Sequence, residues 1–246
     1  MTEPTTQTTR PALSIVILAF NEVDNLRPVV EETKRAVAAN PWIGTFEIVV
    51  VDDGSTDGTA GVADALAAEN ANVRAIHHPR NLGIGAGTRT GYGAAQGDYV
   101  MAVGADGEVE MAEVLQLVKL MDGADLAVSR RRRGPGAHRK LFTYGFHRLT
   151  SLIVGFNIEG MEGIYVVRRD ILRDMELYSN TSLVNLEVIM QAVRRGCRIR
   201  SGEIGIHPRL SGESKMTNWR AIARVFREML KLRWHLWRAG RRKKGK

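Results

Sequence analysis

The stretch Val49–Asp57, printed VVVDDGSTD, decides the fold, because an apolar strand runs there directly into an acidic turn. Its first residues belong to Glu47–Val51, a short run rich in β-branched side chains. Uninterrupted apolar runs of this length are typical of strands that are buried on both faces. Asp52-Asp53 then ends the strand. Asp57-Gly58-Thr59 opens a predicted helix that extends to about Glu69, so strand and helix are joined by a short turn.

The same alternation of strand and helix continues on both sides of this stretch. Upstream, Ile15–Leu18 predicts a strand, and Val23–Ala39 carries apolar residues at helical spacing. Downstream, the sequence predicts strands at Val73–Ile76, Tyr99–Val103, Leu126–Val128, Ile164–Val167 and Cys197–Ile206, and helices at Gly83–Gln96, Met111–Met121, His138–Phe156 and Leu183–Arg195. Buried strands alternating with amphipathic helices indicate an α/β fold, with a mostly parallel sheet covered by helices on both faces. We predict a tail at 1–11, one domain at 12–217, and a basic amphipathic helix and tail at 218–246.

Length and composition exclude several classes of protein. With 246 residues, 44% of them hydrophobic, the chain suits one α/β domain and is too apolar for wholesale disorder. The single cysteine, Cys197, excludes an internal disulfide framework and fits a reducing compartment. No apolar run approaches the roughly 20 residues that span a bilayer, and residues 1–11 show no signal-peptide pattern. We therefore expect a cytoplasmic protein that does not cross a membrane.

Positive charge is concentrated at the C-terminal end of the chain. The formal net charge is +8, and residues 218–246 contain eleven Lys and Arg and one acidic residue, Glu228. The rest of the chain is close to neutral, which argues against nucleic acid as a partner. Asn218–Trp237 predicts an amphipathic helix with a basic face. Such a helix fits the headgroup layer of an anionic membrane, and equally a packing site on its own domain or on a second copy of the chain.

Three acidic clusters directly follow predicted strands. Asn21-Glu22 comes after the first strand, Asp52-Asp53 after the second, and Asp106 with Glu108 after the fourth. Ligands of parallel sheets bind beyond the carboxyl ends of the strands, so we expect the clusters to meet at one crevice. The alternative is that each carboxylate caps a helix, and this is the preferred interpretation for Asp57. It explains Asp52-Asp53 less well, because adjacent carboxylates repel each other unless a donor or a cation is present.

Asp106-Gly107-Glu108 is a candidate metal site. Two carboxylates separated by one flexible residue can bind one side of a hard divalent ion and leave its other positions to water and phosphates. The pattern suits Mg²⁺ or Mn²⁺ carrying a nucleoside diphosphate, although an exposed acidic turn explains it as well.

The glycines between Asn81 and Gly87 invite comparison with nucleotide-binding loops. Their spacing matches neither G-x-G-x-x-G nor the P-loop, which disfavours a dehydrogenase and a P-loop NTPase. Glycines at the start of a predicted helix instead indicate a close approach of the backbone, to a neighbouring segment or to a ligand.

Taken together, five stretches resemble the family 2 glycosyltransferases with a GT-A fold. The resemblance is carried by Ile15–Glu22 (IVILAFNE), Val49–Asp57 (VVVDDGSTD), Arg80–Gly93 (RNLGIGAGTRTGYG), Gly97–Val103 (GDYVMAV) and Ile204–Met216 (IGIHPRLSGESKM). These stretches occur in the order and at the spacing of the family. The last of them indicates the branch typified by dolichyl-phosphate mannose synthase and the polyprenyl-phosphate sugar transferases.

The resemblance implies a site for a nucleotide sugar, UDP- or GDP-linked, across the strand ends. Its implied nucleotide-binding residues are Leu18, Phe20, Glu22, Asp53 and Gly83. The family's metal ligands, for Mg²⁺ or Mn²⁺, fall on Asp106 and Glu108. Residues implied to contact phosphate or acceptor are Arg130, Arg209, Ser214 and Lys215, and those implied to act in catalysis are Asp106, Arg209 and Lys215.

By the same resemblance, the reaction is an inverting transfer of a sugar to a polyprenyl phosphate at the membrane surface. A phosphate acceptor is already ionised, whereas a hydroxyl acceptor requires a base. The candidates for that base are Glu159, Glu162 and Glu187, and for Glu187 a solvated surface position is the preferred interpretation.

The chain departs from the family pattern at Gly104, where the family carries the first aspartate of Asp-Ala-Asp, and at Glu108, which replaces a glutamine. Glu159 replaces the family's aspartate before the acceptor segment, and Glu162-Gly163-Ile164 replaces its Ser/Thr-Gly-Phe. The alternative to an active enzyme is therefore a homologue that binds nucleotide sugars without turnover. The sequence leaves the sugar, the base and the acceptor open.

Overall fold

The computed structural model describes residues 12–131, 163–205 and 227–234, in which strands and helices alternate along the chain. The strands are β1 (Leu13–Ala19), β2 (Phe46–Asp52), β3 (Val73–His77), β4 (Tyr99–Gly104), β5 (Leu126–Arg131), β6 (Tyr165–Arg168) and β7 (Ile199–Ile204). The helices are α1 (Leu26–Ala38), α2 (Thr59–Glu69), α3 (Ile84–Ala94), α4 (Met111–Lys119), α5 (Arg169–Arg173) and α6 (Leu183–Arg194). A 3₁₀ turn at Pro41–Ile43 precedes β2, and residues 227–234 are helical.

The strands form one sheet in the order β3-β2-β1-β4-β6-β5-β7. All neighbouring pairs are parallel except those made by β6, which is antiparallel to both β4 and β5. Two antiparallel pairings in succession restore the original direction, so β5 and β7 run the same way as β1 and β4. The carboxyl ends of six strands therefore lie along one edge of the sheet.

Helices cover both faces of the sheet because the strands are apolar on both sides. Alternate residues of a strand point to opposite faces. Ile15 and Ile17 pack in one core with side chains of α1, α2 and α4, whereas Val16 packs in the other with side chains of α3, α5 and α6. The predicted α/β fold with a mostly parallel sheet and helices on both faces is confirmed.

Most predicted elements agree with the structure to within a few residues. The helix predicted from Val23 begins at Leu26, because residues 23–25 form a turn in which Leu26 N donates to Glu22 O. Short α5 was not predicted. The predicted tail at 1–11, the helix at His138–Phe156 and the domain boundary at 217 lie outside the described residues.

Candidate active site

The register of the sheet brings the ends of four strands side by side. Ala19 is paired with Asp52, Asp52 with His77, and Leu18 with Gly104. The backbone continues this alignment beyond the strands, since Asp53 N donates to Ala19 O and the residue after Gly104 donates to Leu18 O, both at 2.9 Å. The three acidic clusters predicted to share a crevice thus follow neighbouring strands at one edge of the sheet.

Asp53 holds the turn that leads into α3. Its Oδ1 accepts hydrogen bonds from Leu82 N (2.9 Å) and from Nδ1 of His78 (2.7 Å), and its Oδ2 accepts one from Gly83 N (2.8 Å). Because an ionised carboxylate only accepts, His78 must donate through Nδ1, which leaves its Nε2 to face Thr90 Oγ1 at 2.9 Å. Asp53 is 7% exposed. Its carboxylate therefore fixes the start of α3 at the carboxyl edge of the sheet.

Asp52 interacts with His77, the residue that precedes His78. Its Oδ2 lies 3.2 Å from Nδ1 of His77, and Oδ1 accepts from Ser55 N. Nε2 of the same histidine faces Asp64 at 3.0 Å. Burial on its own lowers the pKa of His77, but the hydrogen bonds and charges of the two carboxylates outweigh it, and the net shift is upward. The donors that the adjacent aspartates require are thus supplied by two histidines and by backbone N–H groups.

The turn after β1 is tied to the turn after β2. Asn21, in the left-handed region at φ 55°, donates its N–H to Ser55 Oγ, and its Oδ1 accepts from Thr56 N. Glu22 N donates to Thr59 Oγ1, and Glu22 Oε2 accepts from Asn25 Nδ2 at 2.7 Å. These bonds fix the predicted nucleotide-binding residue Glu22 against the VVVDDGSTD turn.

Asp57, predicted to cap α2, lies just before the N-cap residue Gly58 and binds the first residue of the helix. Its Oδ1 accepts from the N–H of Thr59, the first residue of the helix, and from the hydroxyl of the same residue. Its Oδ2 accepts from Val23 N. Burial alone raises the pKa of Asp57, but these hydrogen bonds outweigh it and lower the pKa below its ordinary value.

Asp106 and Glu108 lie in the loop directly after β4, and both side chains are half-buried. Gly107 between them has a φ of +68°, and Glu108 N donates to Asp106 Oδ1 at 3.2 Å. Within the described residues, no group of three or more His, Cys, Asp or Glu side chains is arranged to hold a metal ion. Two hard oxygen donors fit a divalent ion whose other ligands are water and phosphate.

Gly104 lies close to the Asp106 carboxylate. A Cβ built on Gly104 would lie 3.0 Å from Asp106 Oδ1 and 3.4 Å from its Cγ. A side chain at 104, where the family pattern carries aspartate, would therefore require the Asp106 carboxylate to shift by a few tenths of an ångström. A carboxylate introduced there would crowd and repel Asp106.

The other predicted site residues that the structure describes lie in different parts of the same edge. Leu18 and Phe20, at the end of β1, are half-buried, and Gly83 directly precedes α3. Arg130 is exposed at the end of β5, separated from β4 by β6. Arg209, Ser214 and Lys215 lie outside the described residues, as do Glu159 and Glu162.

Glu187 is buried, so the expectation of a solvated surface position was wrong. Its side chain on α6 is 0% exposed. The carboxylate accepts hydrogen bonds from Tyr178 N and Ser179 N, both at 2.9 Å. Burial raises the pKa of Glu187 in spite of these bonds. The signal was present in the sequence, since Leu183, Glu187 and Gln191 follow one another at four-residue spacing along the buried side of the helix.

A match to a family model accounts for this arrangement. Residues 14–174, more than half of the chain, match the model described as glycosyl transferase family 2. The chain belongs to this family. The glycosyltransferase is 28% identical over 240 residues to the undecaprenyl-phosphate mannosyltransferase of Micrococcus luteus, an alignment that covers 91% of this chain and 96% of the relative.

A second relative is named for a related lipid phosphate. The glycosyltransferase is 30% identical over 168 residues to a dolichyl-phosphate beta-glucosyltransferase of Trichomonas vaginalis, covering 61% of this chain. The match spans about half of that relative's length, 48%. The two relatives confirm the predicted family and its dolichyl- and polyprenyl-phosphate branch.

Solved structures show the same fold. Glucosyl-3-phosphoglycerate synthase from Mycobacterium tuberculosis, in a complex with Mn²⁺ and UDP-glucose, superposes with a TM-score of 0.67 at 20% sequence identity. The superposition covers 91% of this chain and 79% of that one. At this identity the likeness shows the GT-A fold alone, and it agrees with the predicted fold class.

Proposed function

We propose that this glycosyltransferase moves a sugar, with inversion, from a UDP- or GDP-sugar to a polyprenyl phosphate at a membrane surface. The observation that carries the proposal is the convergence of the Glu22, Asp53 and Asp106 turns at the carboxyl edge of the sheet. Open α/β sheets bind their ligands at this edge. The undecaprenyl- and dolichyl-phosphate relatives support the acceptor class, and the UDP complexes of the structural neighbour support a nucleotide-sugar donor.

The nucleotide lies across the strand ends, near Leu18, Phe20, Glu22, Asp53 and Gly83. Asp106 and Glu108 are the residues that would hold Mg²⁺ or Mn²⁺, and the Mn²⁺ of the structural neighbour supports a divalent ion in general. When bound, such an ion stabilises the negative charge that grows on the departing diphosphate. Arg130, Arg209, Ser214 and Lys215 contact phosphate oxygens, for which guanidinium and ammonium groups are suited.

Glu187 is poorly suited to be the base that a hydroxyl acceptor would need, and the other two candidates, Glu159 and Glu162, lie outside the described residues. A hydroxyl must lose its proton to a base, whereas a phosphate monoester attacks as an anion. Both oxygens of Glu187 face backbone N–H groups of residues 178 and 179. A carboxylate committed to the backbone in this way is poorly placed to take a proton from an acceptor.

Membrane contact is assigned to the outer face of residues 227–234. Met229 and Leu232 are 2% and 3% exposed and pack on the domain, while Leu230 and Trp234 are each 49% exposed. Arg227, Lys231 and Arg233 are also exposed. Trp and Leu beside basic side chains suit the headgroup layer of an anionic bilayer. The helix thus packs on its own domain through one face and presents the other to lipid. Among the described residues, no helix is long and apolar enough to cross a membrane.

The proposal is tested by assaying the full chain with a panel of UDP- and GDP-sugars, Mg²⁺ or Mn²⁺, and polyprenyl phosphate. We expect nucleotide release that requires both the lipid phosphate and the metal, and a product whose anomeric configuration is inverted. Asp106→Asn removes a metal ligand and should abolish release, whereas Asp64→Asn, an exposed aspartate on α2, should not. Folded protein that turns over none of the donors would contradict the proposal.

A second candidate, a homologue that binds nucleotide sugars without transfer, is favoured by Gly104. It predicts donor binding with no product, and restored transfer in Gly104→Asp. A Cβ at position 104 would lie 3.0 Å from Asp106 Oδ1, so Gly104→Asp also requires a small shift of the Asp106 carboxylate. Transfer by the unmodified chain eliminates this candidate.

A further inference from the structure

The loop that precedes α6 is pressed against the first turn of α3. Gly85 N donates to Asn180 O at 3.1 Å. A Cβ on Gly83 would lie 2.6 Å from Asn180 O, and one on Gly85 would lie 2.1 Å from Ser179 O. Real Cβ atoms do not approach backbone so closely. The glycines at the start of α3 therefore serve contact with a neighbouring segment, residues 178–181, which we name the strut loop.

Two buried or half-buried charges hold the strut loop from opposite sides. Glu187 of α6 accepts the N–H groups of Tyr178 and Ser179. Arg89 of α3 donates to Ser179 O and to Asn180 Oδ1. Hydrogen bonds to charged groups are stronger than neutral ones, so both the donors and the acceptors of the loop are firmly engaged.

The strut loop is also the attachment point of the 227–234 helix. Thr181 donates both its hydroxyl (2.8 Å) and its N–H (3.3 Å) to Oε2 of Glu228. Met229, the next residue of the helix, packs against Leu183 at the start of α6. The described part of the C-terminal helix is thus bonded to the same loop that supports α3.

On its other side, the start of α3 is bonded to Asp53. Gly83 N and Leu82 N both donate to this carboxylate. A continuous series of hydrogen bonds therefore runs from Asp53 through Gly83–Gly85 and the strut loop to Glu228. Its first members are the residues to which the proposed function assigns the nucleotide.

We propose that Thr181 and Glu228 are positioning residues for the nucleotide, through which the C-terminal helix sets the position of the first turn of α3. Neither residue contacts the reacting atoms. They act by keeping the strut loop seated on Gly83 and Gly85, so that this turn stays in register with Asp53. The proposal rests on the proposed function in that it takes Asp53 and Gly83 as part of the nucleotide site.

The test uses the full chain, with UDP and GDP as the probes. Glu228→Ala removes the acceptor, and Thr181→Val removes the hydroxyl while it keeps the side-chain volume. Glu228→Gln retains an acceptor oxygen at the same place and serves as the rescue variant. Arg227→Ala, an exposed neighbour on the same helix, is the matched control. Nucleotide affinity is measured by calorimetry, and hydrogen exchange is followed in peptides that cover residues 82–90.

We expect Glu228→Ala and Thr181→Val each to weaken nucleotide binding by about three- to tenfold. This loss corresponds to part of the free energy of a hydrogen bond to a charged group. The double variant should be no weaker than Glu228→Ala alone, because Glu228→Ala already removes the acceptor of both Thr181 donors, whereas Thr181→Val leaves the N–H bond in place. Exchange in residues 82–90 should rise in these variants, and Glu228→Gln should recover most of the affinity.

Nucleotide affinity and exchange at 82–90 that match those of Arg227→Ala would overturn the proposal, even if the C-terminal helix itself exchanged faster. Additive losses in the double variant would overturn it too. If the unaltered chain bound neither UDP nor GDP, the proposed function would be contradicted. Exchange at 82–90 would then still decide whether Glu228 positions the start of α3.

Discussion

His77 lies between the carboxylates of Asp52 and Asp64, so the free energy of unfolding of the protein depends on the protonation of this histidine. Because the pKa of His77 is raised in the folded protein above its ordinary value of 6.5, the protonated side chain contributes stability. That contribution is fully present below about pH 6.5 and is lost as the pH rises through the raised folded-state pKa.

His77→Gln should therefore be less stable than the unaltered chain at pH 6, by a margin that shrinks towards pH 9. Urea unfolding at a series of pH values measures this margin. Asp64→Asn removes one of the two carboxylates and should move the decline to lower pH. A margin that stays constant or grows with pH would contradict the assignment of the charge to His77.

Asp53 is the residue at which the stability and the binding of nucleotide are predicted to fall together. Asp53→Asn keeps the shape but turns an amide NH₂ towards groups that donate, which leaves at least one part-buried donor without an acceptor. The expected cost is about 1–3 kcal/mol in the free energy of unfolding, measured by urea denaturation. Nucleotide affinity should also fall, because the start of α3 loses its anchor. Normal affinity in a destabilised Asp53→Asn would show that Asp53 is structural only.

The sequence indicated which residues lie at the strand ends but not what they bind there. Asp52 and Asp53 follow a strand, and parallel topology alone places them at the edge. Their pairing with His77 and His78 depends on the register of β2 against β3, which no local pattern encodes. Asp52 and His77 are 25 residues apart in sequence and become neighbours only through this register.

At the scale of the element, two glycines of α3 have very different surroundings. A Cβ on Gly91 would lie 2.2 Å from Val16 Cγ1, whereas nothing lies within 4 Å of one on Gly93. The first glycine lets the helix pack directly on β1. The second faces solvent and carries only the entropic cost of glycine in a helix.

Gly91→Ala should destabilise the protein by about 1–3 kcal/mol, because a methyl group is forced into a filled core. Gly93→Ala on the same helix should be neutral or stabilising by up to about 1 kcal/mol. Urea denaturation of the two variants tests the pair. Equal effects at the two positions would contradict the close packing of α3 on Val16.

Elements were more predictable than contacts between elements. The runs at β1 and β2 are apolar and β-branched throughout, so both their type and their burial on two faces could be predicted. The conformation of the strut loop could not be predicted, because the loop has no apolar periodicity. Hydrogen bonds from Arg89 and to Glu187 hold it in place. These two residues are far apart in sequence and meet only in the folded chain.

At the scale of the whole molecule, exposed tryptophans lie at two different ends of the domain. Trp42, 44% exposed, lies in the 3₁₀ turn before β2, at the amino-terminal edge of the sheet. Leu230 and Trp234 lie on the helix that is bonded through Thr181 to the loop over α3. The apolar surface on this helix is thus linked to the end of the sheet to which the proposed function assigns the nucleotide, and where the proposed lipid-borne acceptor would arrive.

Membrane binding should depend on the exposed side chains of the 227–234 helix, so substitutions on its outer face test it better than deletion of the helix. Deleting residues 218–246 would also remove Met229 and Leu232 from the core, so a deletion would confuse lost packing with lost lipid contact. The double variant Leu230→Ser, Trp234→Ser alters only exposed side chains. It should still unfold cooperatively, because Met229 and Leu232 stay in place, but pellet less with vesicles that contain anionic lipid.

Trp42→Ser is the matched control, since it removes an equally exposed tryptophan from the opposite edge. It should pellet like the unaltered chain. Added salt should weaken the pelleting of the unaltered chain and of Trp42→Ser. The attraction between exposed basic side chains and anionic lipid is screened over about 10 Å at 0.1 M ionic strength. If the double variant and Trp42→Ser pelleted alike, the outer face of this helix would not be the lipid contact, and the acceptor would have to reach the crevice by another surface.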